Sequence, residues 1–509
     1  MAQKTNSFER FWKELKRRKV VHVITVYAAV AFVIMQVVDM VAEPMRLPDS
    51  TKALVIVLLC IGFVIAVFLS WIYDITPAGV KKTKPASAVK HIDQTATPTS
   101  SGWKIATYVS GVIIVALVVF NFISRGNINA DISKLEKSIA VLPFINDSPD
   151  TTNTYFINGI MERITTNLQM VKVLRVISRT SVEQYRNIKT KSIPEIAKEL
   201  GVNYIIEGSG QKYGNSFSVT TQLIKAKGKE THLWARTYDQ EIKEVNEYIR
   251  IQSQIAQTVA TELRAIITPE EKQLIEKTPT ASLTAYDFYQ RGREELTKYW
   301  VNNDNRTALQ KAEDLYNKAL KYDSTFALAY TGLAWVYWNK SDVEEYFSKN
   351  YMDSVLILSD IALSFDNKLA EAYTLRGYYF MNRGIIDKAI DEFDKSLKIN
   401  PNSWQGYAGK GIMYSNDEFV KAIDNYQKAV SLNHGFELPV LYRAISIQFG
   451  FAGFLEKARY YNLEAYKLDD DSVLYLSTLT IYEFDHNKVI ELERKAYAID
   501  STNPNIAYL

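Results

Sequence analysis

The sequence predicts a membrane-anchored α+β protein: three transmembrane helices, a small α/β domain in the order β-α-β-α-β-β-β-α, and an all-α solenoid of helical repeats. Three observations predict it. Apolar runs lie at 20–41, 54–73 and 104–123, each about 20 residues and long enough at ~1.5 Å per residue to cross a ~30 Å hydrocarbon core. Between 137 and 271, runs of β-formers alternate with stretches of helical period. From 285 to 509, helices recur with one spacing of small and aromatic residues.

At 509 residues the chain is too long for one compact domain, and length alone suggests about three. A hydrophobic content of 47% with a net charge of only +3 fits folded domains and excludes a strongly nucleic-acid-binding chain. The single cysteine, Cys60, falls inside the second apolar run, so no disulfide staples the rest and stability has to come from burial.

Residues 1–19 open the chain. Phe8, Phe11, Trp12 and Leu15 recur at helical spacing with Lys13, Lys16, Arg17 and Arg18 opposite, which predicts an amphipathic helix in the inner headgroup layer. The apolar run that follows is too long for a cleaved signal. Bases cluster at 13–19 and at Lys81, Lys82, Lys84 and Lys90, whereas the first connection offers only Arg46 and Lys52 against Asp39, Glu43 and Asp49. Bases stay inside, so the amino terminus and a loop over 74–103, Ser/Thr/Pro-rich and flexible across 86–102, are expected on the cytoplasmic side of a bacterial inner membrane. Everything beyond a linker at 124–136 is then expected in the periplasm. His22, Gln36, Asp39 and Asp74 sit near the ends of the runs, where they are inexpensive, so no ion path is indicated. The cytoplasmic pieces are too short for a domain, and recognition is expected outside.

The stretch 137–147 reads as a strand. Phe156, Ile160, Ile164 and Leu168 fall at helical spacing, 173–179 reads as a strand, 193–201 as a short helix, 204–239 as three strands, and 244–267 as a long helix. The residues SIAVLPF, LRVISRTSVEQY, IAKELGVNYIIEGS, TTQLI and HLWARTYD resemble the TolB-like amino-terminal domain that precedes tetratricopeptide repeats in many bacterial membrane proteins. The resemblance covers about 130 residues of 137–271 and implies a small α/β domain and extracytoplasmic assembly. Some relatives carry a nucleotide-cyclase or winged-helix domain ahead of it; neither pattern occurs here, so neither activity is carried over.

No catalytic set assembles. Gly208-Ser209-Gly210 joins strand to strand, whereas a phosphate loop leads into a helix. His22, His91, His232, His434 and His486 never approach ligand spacing, so no metal or cofactor is expected. Ser178, Arg179, Thr180 and Ser181 form a polar patch, for which capping a short helix is plainer than holding a ligand.

In 285–509, Ala389, Phe393, Ser396 and Pro401, preceded by Tyr373, Gly377 and Phe380, carry the signature of a tetratricopeptide unit. Ala422, Tyr426 and Ala429 repeat it about 33 residues later behind Tyr407, Gly411 and Tyr414; Ala312, Tyr316, Ala319, Gly332 and Trp335 repeat it earlier. Ala458, Ala465 and Ala496 extend it. The chain thus resembles a tetratricopeptide array, and 503–509 reads as the start of another first helix, so the array is expected to lack its terminal cap. The family lines its concave groove with the first helix of each unit, which carries over here to Thr374, Tyr378, Met381, Asn382, Ala408, Ile412, Asn416 and Arg443. This set lacks a cluster of bases. The expected partner is therefore a protein or peptide in the periplasm held by apolar burial, with Tyr378 as anchor unless it merely pads a neighbouring helix. The predicted function is a non-catalytic membrane-anchored scaffold; a transmembrane sensor with a cytoplasmic partner and an enzyme using the α/β domain are the alternatives.

Overall fold

A computed structural model describes residues 15, 20–42, 50–76, 79–82, 135–186, 188, 190–301, 305–341 and 350–502. They fall into two units, Met1–Ile132 and Ser133–Leu509. In the first, helices α1 (Val20–Ala42) and α2 (Ser50–Ile72) lead into a hairpin of β1 (Tyr73–Thr76) and β2 (Gly79–Lys82). The two helices touch: the Tyr27 hydroxyl donates to the Leu59 carbonyl at 2.8 Å, and its ring meets Phe63 edge-on at 5.6 Å.

This unit corrects the predicted anchor. Among the described residues no helix is long and apolar enough to cross a membrane, so the three-span architecture is not found. The inner-membrane location falls with it, and so does the division into cytoplasmic and periplasmic parts. The third run, 104–123, and the amphipathic segment 1–19 apart from Leu15 lie outside the described residues. Apolarity along a run reports avoidance of water and does not by itself say what covers a helix; on α1 and α2, Val30, Phe32, Val33 and Val64 stay more than half exposed. The hairpin also puts strands at 73–76 and 79–82, in a stretch expected from 74 on as a connecting loop; the part expected to be flexible, 86–102, lies outside the described residues.

The second unit opens with β3 (Ser138–Val141), β4 (Ile145–Asn146), α3 (Thr154–Gln169), β5 (Arg175–Val176), α4 (Arg179–Glu183) and α5 (Ile193–Glu199). β6 (Tyr204–Tyr213), β7 (Ser216–Lys225) and β8 (Thr231–Glu241) follow, then α6 (Val245–Glu262) and α7 (Pro269–Glu276). The sheet runs β5-β3-β6-β7-β8, with β4 also on β6; β3 is parallel to both neighbours, and β6 to β8 form an antiparallel meander. Alternation along β3 and β6 sorts the layers. Ile139, Val141, Tyr204 and Ile206 face α3 and α6, while Ala140, Leu142 and Ile205 meet Val182, Ile196 and Leu200 on the other face. Local start signals set two helices: Ser192 and Glu195 form a capping box on α5, and Thr268, Pro269 and Glu271 start α7, a helix the sequence reading did not expect.

Six helix pairs complete the unit among the described residues. They are α8 (Leu283–Val301) with α9 (Arg306–Tyr322), α10 (Ala327–Ser341) with α11 (Tyr351–Phe365), and α12 (Ala370–Asn382) with α13 (Ile386–Ile399). Next come α14 (Trp404–Tyr414) with α15 (Phe419–Leu432), α16 (Leu438–Phe451) with α17 (Leu455–Asp469), and α18 (Ser472–Ile481) with α19 (His486–Ile499). The fixed spacing has a steric origin. Phe393, fully buried on α13, fills the space left by Gly377 on α12 and Gly409 on α14; a Cβ at Gly377 would stand 2.5 Å from its ring. Tyr426 on α15 repeats this against Gly411, and Tyr316 on α9 against Gly332. These are tetratricopeptide repeats.

The α/β domain and the first repeat are not separate cores. Phe156, Phe217 and Tyr248 of the domain pack on one another and on Tyr286 of α8, in a cluster that runs on to Phe326 and Ala329.

Candidate functional site

The seam between sheet domain and repeats positions the candidate site. An edge strand leaves backbone donors and acceptors unpaired, and β5 finds partners for its own on the repeats. Val176 N donates to Asn402 Oδ1 at 2.9 Å, Ser178 N to the Leu432 carbonyl at 2.8 Å, and Arg175 Nη1 to the Ser431 carbonyl at 2.8 Å. Asn402 answers by donating to the Gln169 carbonyl at 2.8 Å. The polar patch 178–181 does not cap α4 through its side chains. Instead, the Ser178 and Ser181 hydroxyls donate to Asn433 Oδ1 at 2.9 and 3.0 Å, and His434 N donates to Ser181 Oγ at 2.7 Å.

Beside this knot lies a buried ion network. Arg179 reaches Glu162, Glu183 at 3.0 Å and Glu294 at 3.2 Å; Arg293 reaches Glu162 and, at 3.2 Å, Glu371; Arg186 holds Glu183 at 2.7 Å. Burial pushes the Glu162 carboxyl up, but Arg293 and Arg179 outweigh it and hold it at about 2. Burial likewise pulls Arg293 and Arg179 down, and their carboxylate partners drive both above the usual arginine range. Glu162, Arg179 and Arg293 thus stay charged at neutral pH, which favours electrostatic holding over proton transfer.

The network forms one wall of a cleft of about 100 Å³ between α3, α4 and the first helices of four repeats. Trp300, Trp335, Trp404, Thr374 and Asn402 line the repeat side. A wider cleft of about 1110 Å³ opens on the sheet domain, but its bases are already engaged: Lys191 on Glu199 at 2.7 Å, Arg186 on Glu183. Among the described residues no group of His, Cys, Asp or Glu could hold a metal ion.

The predicted groove residues separate into two sets. Thr374 is buried at the cleft with its hydroxyl 2.7 Å from Ser396 Oγ. Tyr378 is 9% exposed, stacked on Trp338 at 4.7 Å and edge-on to Trp335 and Phe393, and burial raises its hydroxyl pKa. Ala408 is buried, Met381 is half-buried, and Arg443 is 7% exposed with a forked pair to Asp469 at 2.6 and 2.9 Å. Asn382, Ile412 and Asn416 are exposed. Sequence reading missed the seam altogether. The available signal was the patch 178–181, whose hydroxyls exceed what a five-residue helix can use.

Acid is expected to loosen the seam. The lowered Glu162 pKa contributes stability present above the ordinary value of 4.5 and lost as pH falls toward about 2, on the order of 3 kcal/mol. His434, half-buried beside Gly201, is pulled below 6.5 by its partial burial and then by Arg175, so the unfolded chain takes up its proton first and stability falls as pH drops below 6.5. Urea midpoints should therefore decline from pH 7.5 to pH 4, and H434Q should flatten the upper part of that decline.

Comparison with known proteins places these parts. Residues 135–258 match the family model described as HilA/YgeH-like transcriptional regulator, second domain. A putative adenylate cyclase 3 of Rhizobium meliloti (strain 1021) is 32% identical over 197 residues, 39% of this chain and 32% of that protein. A cell division cycle protein 27 homolog of Caenorhabditis elegans is 32% identical over 73 residues, 14% of this chain and 9% of that protein. The chain thus spans a third or less of the curated relatives it matches, and the activities in their names are theirs. Among solved structures, PilW, a type IV pilus biogenesis factor, is 20% identical with a TM-score of 0.35, covering 44% of this chain and 98% of its own. YrrB, a tetratricopeptide protein, is 20% identical with a TM-score of 0.30, covering 38% and 95%. At such scores the repeat assignment rests on the glycine and aromatic packing above.

Proposed function

We propose that this chain is a non-catalytic scaffold that binds a protein or peptide along the first-helix face of its later repeats, with a TolB-like sheet domain docked on the earlier ones. One observation carries the reading. The domain's contacts with the turns between repeats reach Asn433 and His434, and beyond them the first helices turn large apolar side chains to water: Val440 and Phe451 on α16, after Ile412 on α14. Residues placed this way contribute through burial, about 1.5–3 kcal/mol for each Val, Ile or Phe fully covered. Asn382, Ile412 and Asn416 are the contacts; Thr374, Tyr378, Met381, Ala408 and Arg443 hold the helices that present them.

A photo-crosslinking residue at position 412 of the full-length chain should give one discrete adduct, and Val440→Asp should abolish it without changing the helical signal. The same probe at Tyr460, on the second helix α17, should give none. Equal capture from 460, or capture indifferent to V440D, overturns the reading.

A further inference from the structure

The cleft between the sheet domain and the repeats has a chemistry of its own. Its charged wall belongs to a network of four carboxylates, Glu162, Glu183, Glu294 and Glu371, against three guanidiniums, Arg179, Arg186 and Arg293. Three of the carboxylates are well covered. Glu371 is the exception: its side chain is 40% exposed, and Arg293 alone reaches it, through contacts of 3.2 and 3.4 Å at the long end of the hydrogen-bond range. Arg163, which lines two neighbouring clefts with Glu371, gives its Nη2 to the Lys277 carbonyl at 3.0 Å. That carbonyl is neutral and Arg163 keeps its charge, so the carboxylates hold no net surplus; what the cleft wall offers is Glu371, the accessible and loosely held carboxylate, while Arg179 and Arg293 are engaged by Glu162.

The rest of the wall is aromatic. Trp300, Trp335 and Trp404 line it, the first two with rings edge-on at 5.9 Å, and the Trp300 N–H is held by Asn339 Oδ1 at 3.2 Å. A space of about 100 Å³ takes one small group or a few waters, not a folded surface. An accessible, loosely paired carboxylate beside indole rings attracts an organic cation through its charge and through the ring quadrupoles together. An anion would meet Glu371 while the guanidiniums of the wall are already held by Glu162. A purely apolar group would leave the carboxylate poorly solvated.

We propose that this cleft receives a lysine or arginine side chain of the bound protein, and that it exists only because the sheet domain is docked on the repeats. This rests on the scaffold reading for its partner, but the site is tested without one. The probe is the tripeptide amide Ac-Gly-Lys-Gly-NH2, titrated into the full-length chain and followed by tryptophan fluorescence. The neutral isostere Ac-Gly-norleucine-Gly-NH2 and the acidic Ac-Gly-Glu-Gly-NH2 are the controls. The lysine peptide should give a saturable change, and the norleucine peptide should bind about tenfold more weakly or not at all. Glu371→Gln should weaken the lysine peptide by a similar factor, and Trp404→Leu should weaken it with the charges intact. The norleucine comparison uses the unaltered protein, so it decides even if E371Q disturbs docking. No saturation by the lysine peptide, or equal binding of norleucine or glutamate, overturns the proposal. A lysine response without crosslinking at 412 would leave this site standing and remove the scaffold reading; crosslinking without a lysine response does the reverse.

Discussion

Glu162→Gln is expected to cost about 3–5 kcal/mol, the range for removing one partner of a buried ion pair. Glu162 is the carboxylate that Arg179 of the sheet domain and Arg293 of the first repeat share, so glutamine leaves two guanidiniums facing one neutral oxygen. The loss should localise. Nearest-neighbour coupling lets later repeats keep their order while the seam opens, so hydrogen exchange should accelerate first in α3, α4 and the start of α8. Urea unfolding with a single shifted transition would show instead that domain and repeats melt as one body. An unchanged midpoint would show that the network contributes nothing net.

Phe393→Ala is expected to cost about 3–5 kcal/mol, as fully buried phenylalanines do when truncated. The ring contacts Gly377 and Gly409 on first helices of two successive repeats, and Tyr378 packs edge-on against it at 5.6 Å. Alanine would empty a space that three helices share, and the glycines have no side chains with which to fill it. Protection should fall in α12 to α14, and the melting temperature should drop by several degrees. The converse variant, Gly409→Val, should be comparably damaging, since its side chain would enter the ring. Should F393A leave stability within about 1 kcal/mol of the parent, the packing explanation of the repeat spacing would be wrong.

Much of the second unit was legible because its signals are local. Ala389, Phe393 and Gly377 lie within one helix pair, and their spacing follows from how closely two adjacent helices approach, so a single repeat displays the rule. The short helix read at 193–201 is set by residues within two turns, and the alternation in β6 and β7 reads one sheet face at a time. The expected groove residues fall on first helices of their pairs, except Asn416, which lies in the turn after α14. Which of them face water was not legible, since Tyr378 is covered by Trp335 and Trp338 from the preceding repeat and Arg443 by Asp469 from the following helix.

What the sequence by itself determined is therefore the set of elements: a small mixed sheet with its helices, followed by tetratricopeptide pairs, each dictated by contacts between residues a few turns apart. Tertiary structure alone decided what those elements do to one another. The Ser178 to Asn433 bond joins residues 255 positions apart, and the Arg293 to Glu162 pair joins residues 131 apart; no periodicity encodes such a meeting. The apolar runs near the amino terminus make the same point from the other side. Hydropathy measures how strongly a residue avoids water and does not name what meets it: Tyr27 meets Leu59 and Phe63, while Val30, Phe32 and Val64 of the same two helices stay exposed.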